Sequence, residues 1–208
     1  MNQKIVSYLD KIIPNPKCEL NYNKDYELLI AVMLSAQTTD KRVNEVTKTL
    51  FKKYDSLEKL SKANKEDIID IIRSIGTFNK KASNVIQIAM SLLPYGYVPN
   101  DRKFLESLSG VGRKTTNVVL SNLYNENCIA VDTHVKRVAT RLKISKKDDD
   151  VLTVEKKLTK YFKNYSLSRI HHQLVLFGRY YCKAQNPSCE NCNLKDICER
   201  LKKTKKYH

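Results

Sequence analysis

Apolar residues along most of this chain recur three and four positions apart. Val43, Val46 and Leu50 form one such stripe, and Ile68, Ile71, Ile72 and Ile75 form another. The spacing returns at Ala82, Val85, Ile86, Ala89 and Met90, at Val135, Val138 and Leu142, and at Ile170, Leu174 and Phe177. A stripe of this period is the mark of an amphipathic helix. Boundary residues agree with it. Asn64 and Asp67 form a capping pair ahead of the Ile68 stripe, and Gly76 stands where that helix should close. Pro94, Gly96 and Pro99 break the chain before Asn100 and Asp101 open another helix. No segment alternates apolar and polar residues as a strand does. The pattern predicts an all-α chain of about ten helices joined by short loops, without internal repeats. The longest apolar run, Leu28 to Leu34, has seven residues, well short of the ~20 a membrane helix needs. The opening MNQKIVSYLDKIIP has no continuous apolar stretch of the signal-peptide kind. A soluble, intracellular protein is expected.

Charge narrows the partner. Among 208 residues, 38 Lys and Arg stand against 22 Asp and Glu, a formal net charge of +16. Lysine and arginine that neutralise phosphates supply most non-specific affinity for nucleic acid. The competing reading is compositional. Only nine of the 38 basic residues are arginine, and a chain rich in Lys, Asn and Ile is what an AT-rich genome yields. Composition hardly shifts along the chain. The polar break Asn125 to Asn127, the charged loop Lys146 to Asp150 and the basic tail Lys202 to Lys206 are its main landmarks.

Two local patterns carry chemistry. The first is Leu108-Ser109-Gly110-Val111-Gly112-Arg113-Lys114-Thr115, between a helix ending near Leu108 and one running through Val118, Val119 and Leu123. Two glycines one residue apart permit a tight turn with positive φ. They also let a phosphate approach the backbone without meeting a Cβ, in front of a helix N-terminus that favours anions. Val111 can pack inward as an anchor. This has the form of a helix-hairpin-helix element that grips a DNA backbone, with a plain αα-corner as its alternative. Farther on, Asp132 directly precedes the Val135 stripe, where an N-cap belongs.

The second pattern is cysteine. Of six, Cys18 and Cys128 are isolated and read as small buried residues. Cys182, Cys189, Cys192 and Cys198 follow the spacing C-x6-C-x2-C-x5-C. That clustering argues for a metal site rather than a disulfide framework. Zinc sites more usually show two C-x2-C knuckles, and four thiolates also hold [4Fe–4S] clusters. Spacing alone leaves the metal open.

Taken together, LSGVGRKTTNVVL followed by AVDTHVKRV resembles the endonuclease III branch of the DNA glycosylases. So does the upstream LLIAVMLSAQTTDKRVNEV, and so does HHQLVLFGRYYC leading into the cysteines. The resemblance runs from about Tyr26 to Cys198. It implies two helical lobes. Residues 18–127 would form a six-helix barrel lobe containing the hairpin. Residues 1–17 with 128–208 would form a smaller lobe carrying the iron–sulfur cluster. It also implies a bifunctional enzyme that removes oxidised pyrimidines of the thymine glycol type and then cuts the abasic site by β-elimination. Lys114 would be the nucleophile and Asp132 its catalytic partner. Gln37 would be the polar wedge that fills the space of the extruded base, its turn supported by Asp40. Gly110, Val111, Gly112, Arg113 and Lys183 would meet DNA, and Cys182, Cys189, Cys192 and Cys198 would hold a [4Fe–4S] cluster. The implied partner is duplex DNA with damaged bases or abasic sites, bound by a monomer in the bacterial cytoplasm, nucleoid-associated through DNA, with no role for a membrane.

The chemistry can be weighed independently. An amine that attacks C1′ displaces the base and leaves a Schiff base, which makes β-elimination possible. An ordinary lysine has a pKa of about 10.4, and bringing it to roughly 7–8 requires about 4 kcal/mol. A helix dipole supplies only about 0.3–1 kcal/mol at an exposed site. Desolvation under bound DNA, or proton transfer to Asp132, must supply the remainder. Two positions depart from the family pattern. Ser109 stands where Pro commonly precedes the hairpin glycine. Thr77 stands where many relatives carry an apolar second wedge, with Phe78 next to it as a substitute. The alternatives are a monofunctional mismatch glycosylase, against which Lys114 argues, and a non-catalytic DNA-binding iron–sulfur module, which would need neither Lys114 nor Asp132.

Overall fold

A computed structural model describes residues 1–204, with side chains to residue 201. The side chains of the basic tail at Lys202–Lys206 therefore lie outside the described residues. The described chain is helical throughout, with no strand. Helix α1 (Asn2–Ile12) comes first. Then follow α2 (Asp25–Leu34), α3 (Asp40–Lys53), α4 (Leu57–Ser61), α5 (Lys65–Ile72), α6 (Phe78–Leu92), α7 (Arg102–Ser107) and α8 (Arg113–Leu123). The remainder is α9 (Thr133–Arg141), α10 (Val151–Tyr161), α11 (Leu167–Leu176), a π-helical turn at Phe177–Tyr181, and α12 (Glu199–Thr204). Twelve α-helices exceed the expected ten because α4 and α7 are only five and six residues long. Such pieces are too short to show a period.

The chain divides into two compact units, one of Cys18–Tyr124 and one of Met1–Lys17 with the chain from Asn125 onward. The polar break at Asn125 to Asn127 thus groups with the second unit. Asn127 shows why: its Oδ1 accepts from the Leu167 amide at 2.7 Å, at the start of α11.

In the unit spanning Cys18–Tyr124, α2 is the centre. Every residue from Tyr26 to Leu34 is buried, and a helix apolar on all sides belongs inside a core. It packs against α3, α6 and α8. Its start is fixed by Glu27, whose carboxylate accepts from the Asn23 and Lys24 amides at 2.7 and 3.3 Å. Asn64 caps α5 through the Glu66 and Asp67 amides, and Asp101 caps α7 through the Lys103 and Phe104 amides. The α5 helix does not end on Gly76. It ends at Ile72, and the left-handed residue that turns the chain is Thr77, with φ 56°.

In the other unit, α1 closes a core built mainly from later helices. Ile5 and Leu9 are fully buried among Val135, Val138, Leu158, Phe162, Ile170 and Leu174. Asp10 holds α1 to α11, accepting from Arg169 Nη2 at 2.7 Å and Gln173 Nε2 at 2.8 Å. The Arg169 hydrogen bond keeps the Asp10 carboxyl below its usual pKa. A segment at the very start of the chain is thereby recruited to the unit at its end.

Candidate functional site

The hairpin is built on one obligatory glycine. Gly110 has φ +77°, a conformation disfavoured for residues with a Cβ. A Cβ there would also lie 2.3 Å from Asn84 Nδ2 of α6 and 3.3 Å from Met33 Cγ of α2. Gly112 differs. Its φ of −106° is ordinary, so only one of the two glycines needs the positive φ the sequence allowed to both. Nothing lies within 4 Å of where its Cβ would be, so the backbone is open to an approaching group. Between them Val111 is 4% exposed and donates its amide to the Leu108 carbonyl at 3.0 Å. It is the inward anchor.

Gly112 is also the N-cap of α8, and no side chain caps that helix. Arg113 and Lys114 occupy its first two positions and are exposed. Gly110, Gly112, Arg113 and Lys114 thus form one surface element, anchored from beneath by Val111. It joins an open backbone, a helix N-terminus that favours anions and two cations.

Asp132 is the N-cap of α9 in the other unit. Its Oδ1 accepts from the Val135 amide at 2.7 Å. Oδ2 takes no hydrogen bond among the described residues, so the cap leaves one carboxylate oxygen unused. The segment before it is fixed from behind, where buried His171 places Nδ1 3.0 Å from the Ala130 carbonyl. His134 has a structural setting, with Nδ1 3.1 Å from Arg137 Nη2.

Gln37 is exposed and sits in the turn between α2 and α3, with φ 57°. Thr39 caps α3, accepting from the Arg42 amide at 3.3 Å, and Asp40 is the first residue of that helix. Thr77 is exposed and Phe78 half-buried at the start of α6.

The four clustered cysteines line one pocket, walled also by Phe177, Tyr181, Pro187 and Leu201. Among the described residues no three His, Cys, Asp or Glu side chains are gathered tightly enough for a single metal ion. A tetrahedral zinc site with bonds of about 2.3 Å would draw its sulfurs to within about 4 Å of one another. Four thiols on one pocket are also the ligand set of a polynuclear cluster. The approach to Cys182 is the π-helical turn, an element frequent at functional sites. Gly178 within it packs tightly, since a Cβ would lie 2.9 Å from His134 Cβ.

Two arginines of α9 brace this loop. Arg137 donates to the carbonyls of Gly178 and Cys182 at 2.6 and 3.1 Å. Arg141 donates to the carbonyls of Cys182 and Lys183 and lies 3.1 Å from Cys182 Sγ. From α1, Tyr8 donates its hydroxyl to the Asn191 carbonyl at 3.3 Å. Burial pushes the Cys192 thiol above its usual pKa, and a bound metal would offset that by favouring the thiolate. Lys183 is exposed. Cys18 and Cys128 are half-buried, not fully buried as their isolation implied. Sequence reasoning passed over Arg137, Arg141 and Tyr8. The i, i+4 spacing of the arginines placed them on one face of α9, but nothing local named their acceptors.

Two family models match the chain. Residues 30–164 match the HhH-GPD superfamily base excision DNA repair protein, and residues 182–198 match the iron-sulfur binding domain of endonuclease III. The chain is 46% identical over 198 residues to endonuclease III of Rickettsia conorii, covering 94% of each chain. It is 44% identical over 212 residues to endonuclease III of Bacillus subtilis, covering 99% of this chain and 97% of the other. A solved structure of a trapped endonuclease III–DNA covalent intermediate aligns with a TM-score of 0.91 at 45% identity, covering 99% of both chains. The cofactor is an iron–sulfur cluster, and four thiolates are the ligand set of the [4Fe–4S] type. No helix of the described residues is long and apolar enough to cross a membrane. These matches, and the hairpin, cap and cysteine loop they coincide with, show that the chain belongs to the endonuclease III family.

Proposed function

We propose that Lys114 and Asp132 perform the chemistry of a base excision repair glycosylase and abasic-site lyase on oxidised pyrimidines in duplex DNA. The observation that carries this assignment is the joining of Lys114, within the first turn of α8, to the hairpin fixed by Gly110. A phosphate held at Gly112 and the α8 N-terminus sets the register of the strand beside that amine. Gly110, Val111, Gly112 and Arg113 form the grip on this strand, and Lys183 offers a second cation on the other unit.

The damaged nucleotide must leave the stack before its C1′ is reachable. Gln37 fills the vacated space. Asp132 takes a proton from the Lys114 ammonium, and the neutral amine attacks C1′ as the bond to the base breaks. The base departs with the bonding pair and is protonated. The sugar ring opens to a Schiff base on Lys114. Loss of the acidified 2′ proton then expels the 3′ phosphate, cutting the strand, and water returns the free lysine. An amine nucleophile therefore couples base release to strand cleavage.

Cys182, Cys189, Cys192 and Cys198 would hold the [4Fe–4S] cluster. When bound, it would supply a cross-link that ties the end of the π-helical turn to the loop carrying Lys183. The cell compartment follows from the partner: a protein of this kind works in the bacterial cytoplasm, on the nucleoid.

The test uses a duplex with a single thymine glycol. Base release and strand nicking should rise together and both should vanish in Lys114→Ala. Base release that persists without nicking in the wild-type chain would favour the monofunctional alternative and overturn the assignment.

A further inference from the structure

Helix α6 carries one lysine inward. Lys81 is 4% exposed. Its ammonium donates to the Ala36 carbonyl at 2.8 Å and to Thr38 Oγ1 at 3.3 Å. Those acceptors stand on either side of Gln37. The Lys81 amide, in turn, donates to the Thr77 carbonyl at 3.0 Å. Gln37 and Thr77, with φ 57° and 56°, are the two non-glycine residues of Cys18–Tyr124 in the left-handed region. The backbone bond is the first helical bond of α6, which any residue but proline would make; the side-chain grip on the Gln37 turn is particular to lysine. Three positions on, Asn84 of the same helix lies under Gly110 of the hairpin.

A buried ammonium is costly to keep. No carboxylate pairs with Lys81 among the described residues, and burial pulls its pKa below the ordinary lysine value. Methionine would fill similar volume beside Ala82 and Val85 without that cost. Fold stability alone gives no reason for lysine here. What the lysine does that methionine could not is grip a carbonyl and a hydroxyl across an exposed turn. Left-handed conformations at residues other than glycine persist only where their surroundings hold them.

We propose that Lys81 is a positioning residue for base excision: its ammonium clamps the Ala36–Thr38 turn so that Gln37 is held, before DNA binds, in the pose from which it enters the duplex. The inference rests on the reading of Gln37 as the wedge. The benefit is pre-organisation, since a loop already in its bound shape loses less freedom on binding.

The test is a double-mutant cycle on the cluster-loaded full chain, read as single-turnover excision from a thymine glycol duplex. Lys81→Met and Gln37→Ala should each slow excision on the order of 10- to 100-fold, the scale of a misplaced group near a reaction. The double variant should fall no further than the slower single variant, because both remove the same function. Lys81→Arg, which keeps the donors, should recover most of the rate. Hydrogen exchange without DNA should quicken across residues 35–39 in Lys81→Met and not in α2 or α8. If Lys81→Met does not fold, Thr38→Val removes one acceptor and should show the same non-additivity with Gln37→Ala. Independent, multiplying losses would overturn the role of Lys81 and leave the wedge standing. So would wild-type excision and exchange in Lys81→Met. Wild-type excision in Gln37→Ala would instead remove the wedge reading, and this inference with it.

Discussion

The cap on α9 engages one oxygen of Asp132, so capping and the chemical role proposed for this residue are separable by mutation. Oδ1 caps α9 through the Val135 amide. Asparagine caps a helix about as well as aspartate but cannot accept the lysine proton. Asp132→Asn should keep the melting temperature of the wild type and lose about 10²–10⁴-fold in excision rate. Asp132→Ala should lose a comparable rate and, in addition, about 1 kcal/mol of stability with the cap. The hairpin glycines divide in the same way. Gly110→Ala meets Asn84 Nδ2 at 2.3 Å in a left-handed backbone and should cost roughly 1–3 kcal/mol in thermal unfolding. Gly112→Ala meets nothing within 4 Å. It should leave stability nearly unchanged and weaken duplex affinity, because its methyl stands where a phosphate would approach. Equal stability losses in the two variants would contradict this division. Caps such as Asn64, Asp101 and Asp132 were legible in the sequence because cap chemistry is settled within three residues. The burial of Lys81 was not. It sits beside a good apolar stripe, and its acceptors lie more than 40 residues away in the chain.

The π-helical turn at Phe177–Tyr181 and its neighbours show how an element delivers a ligand. The Ile170, Leu174 and Phe177 stripe foretold α11, yet the wider turn that follows was invisible to a 3.6-residue period. Gly178 lets the backbone of this turn come against α9, where Arg137 donates to its carbonyl. Gly178→Ala should push these elements apart, lowering unfolding temperature and releasing the cluster earlier on heating. Absorbance near 400 nm is the readout. Cluster loss that tracks the wild type would show that the close approach is immaterial to the loop. The end of α5 makes the complementary point. Glycine marks a helix end well when it holds the positive φ, but here Thr77 holds it, at the N-cap of α6.

At the scale of the molecule, the charge of +16 left composition and function confounded in the sequence. Placement of the cations resolves part of it. Arg113 and Lys114 stand exposed at the hairpin, and Arg137 and Arg141 donate to carbonyls of the cysteine loop. Duplex affinity should fall linearly in log–log against salt, by about 0.9 per phosphate neutralised. Arg113→Ala should reduce that slope by about one. An unchanged slope would remove Arg113 from the phosphate grip. The all-helical class was legible because most of the longer helices keep one period; α2, buried on every side, does not. The boundary near Tyr124 was less so, since Asn127 is placed by a hydrogen bond to Leu167, 40 residues on.

The central claim is that the ε-nitrogen of Lys114 bonds to the deoxyribose. It is tested most directly by reducing the wild-type chain on abasic duplex DNA with borohydride, digesting the adduct and locating the modified peptide by mass spectrometry. The sugar remnant should lie on Lys114, within the peptide that begins α8. A stable adduct on any other lysine, or no adduct from a chain that still cuts the strand, would contradict the account.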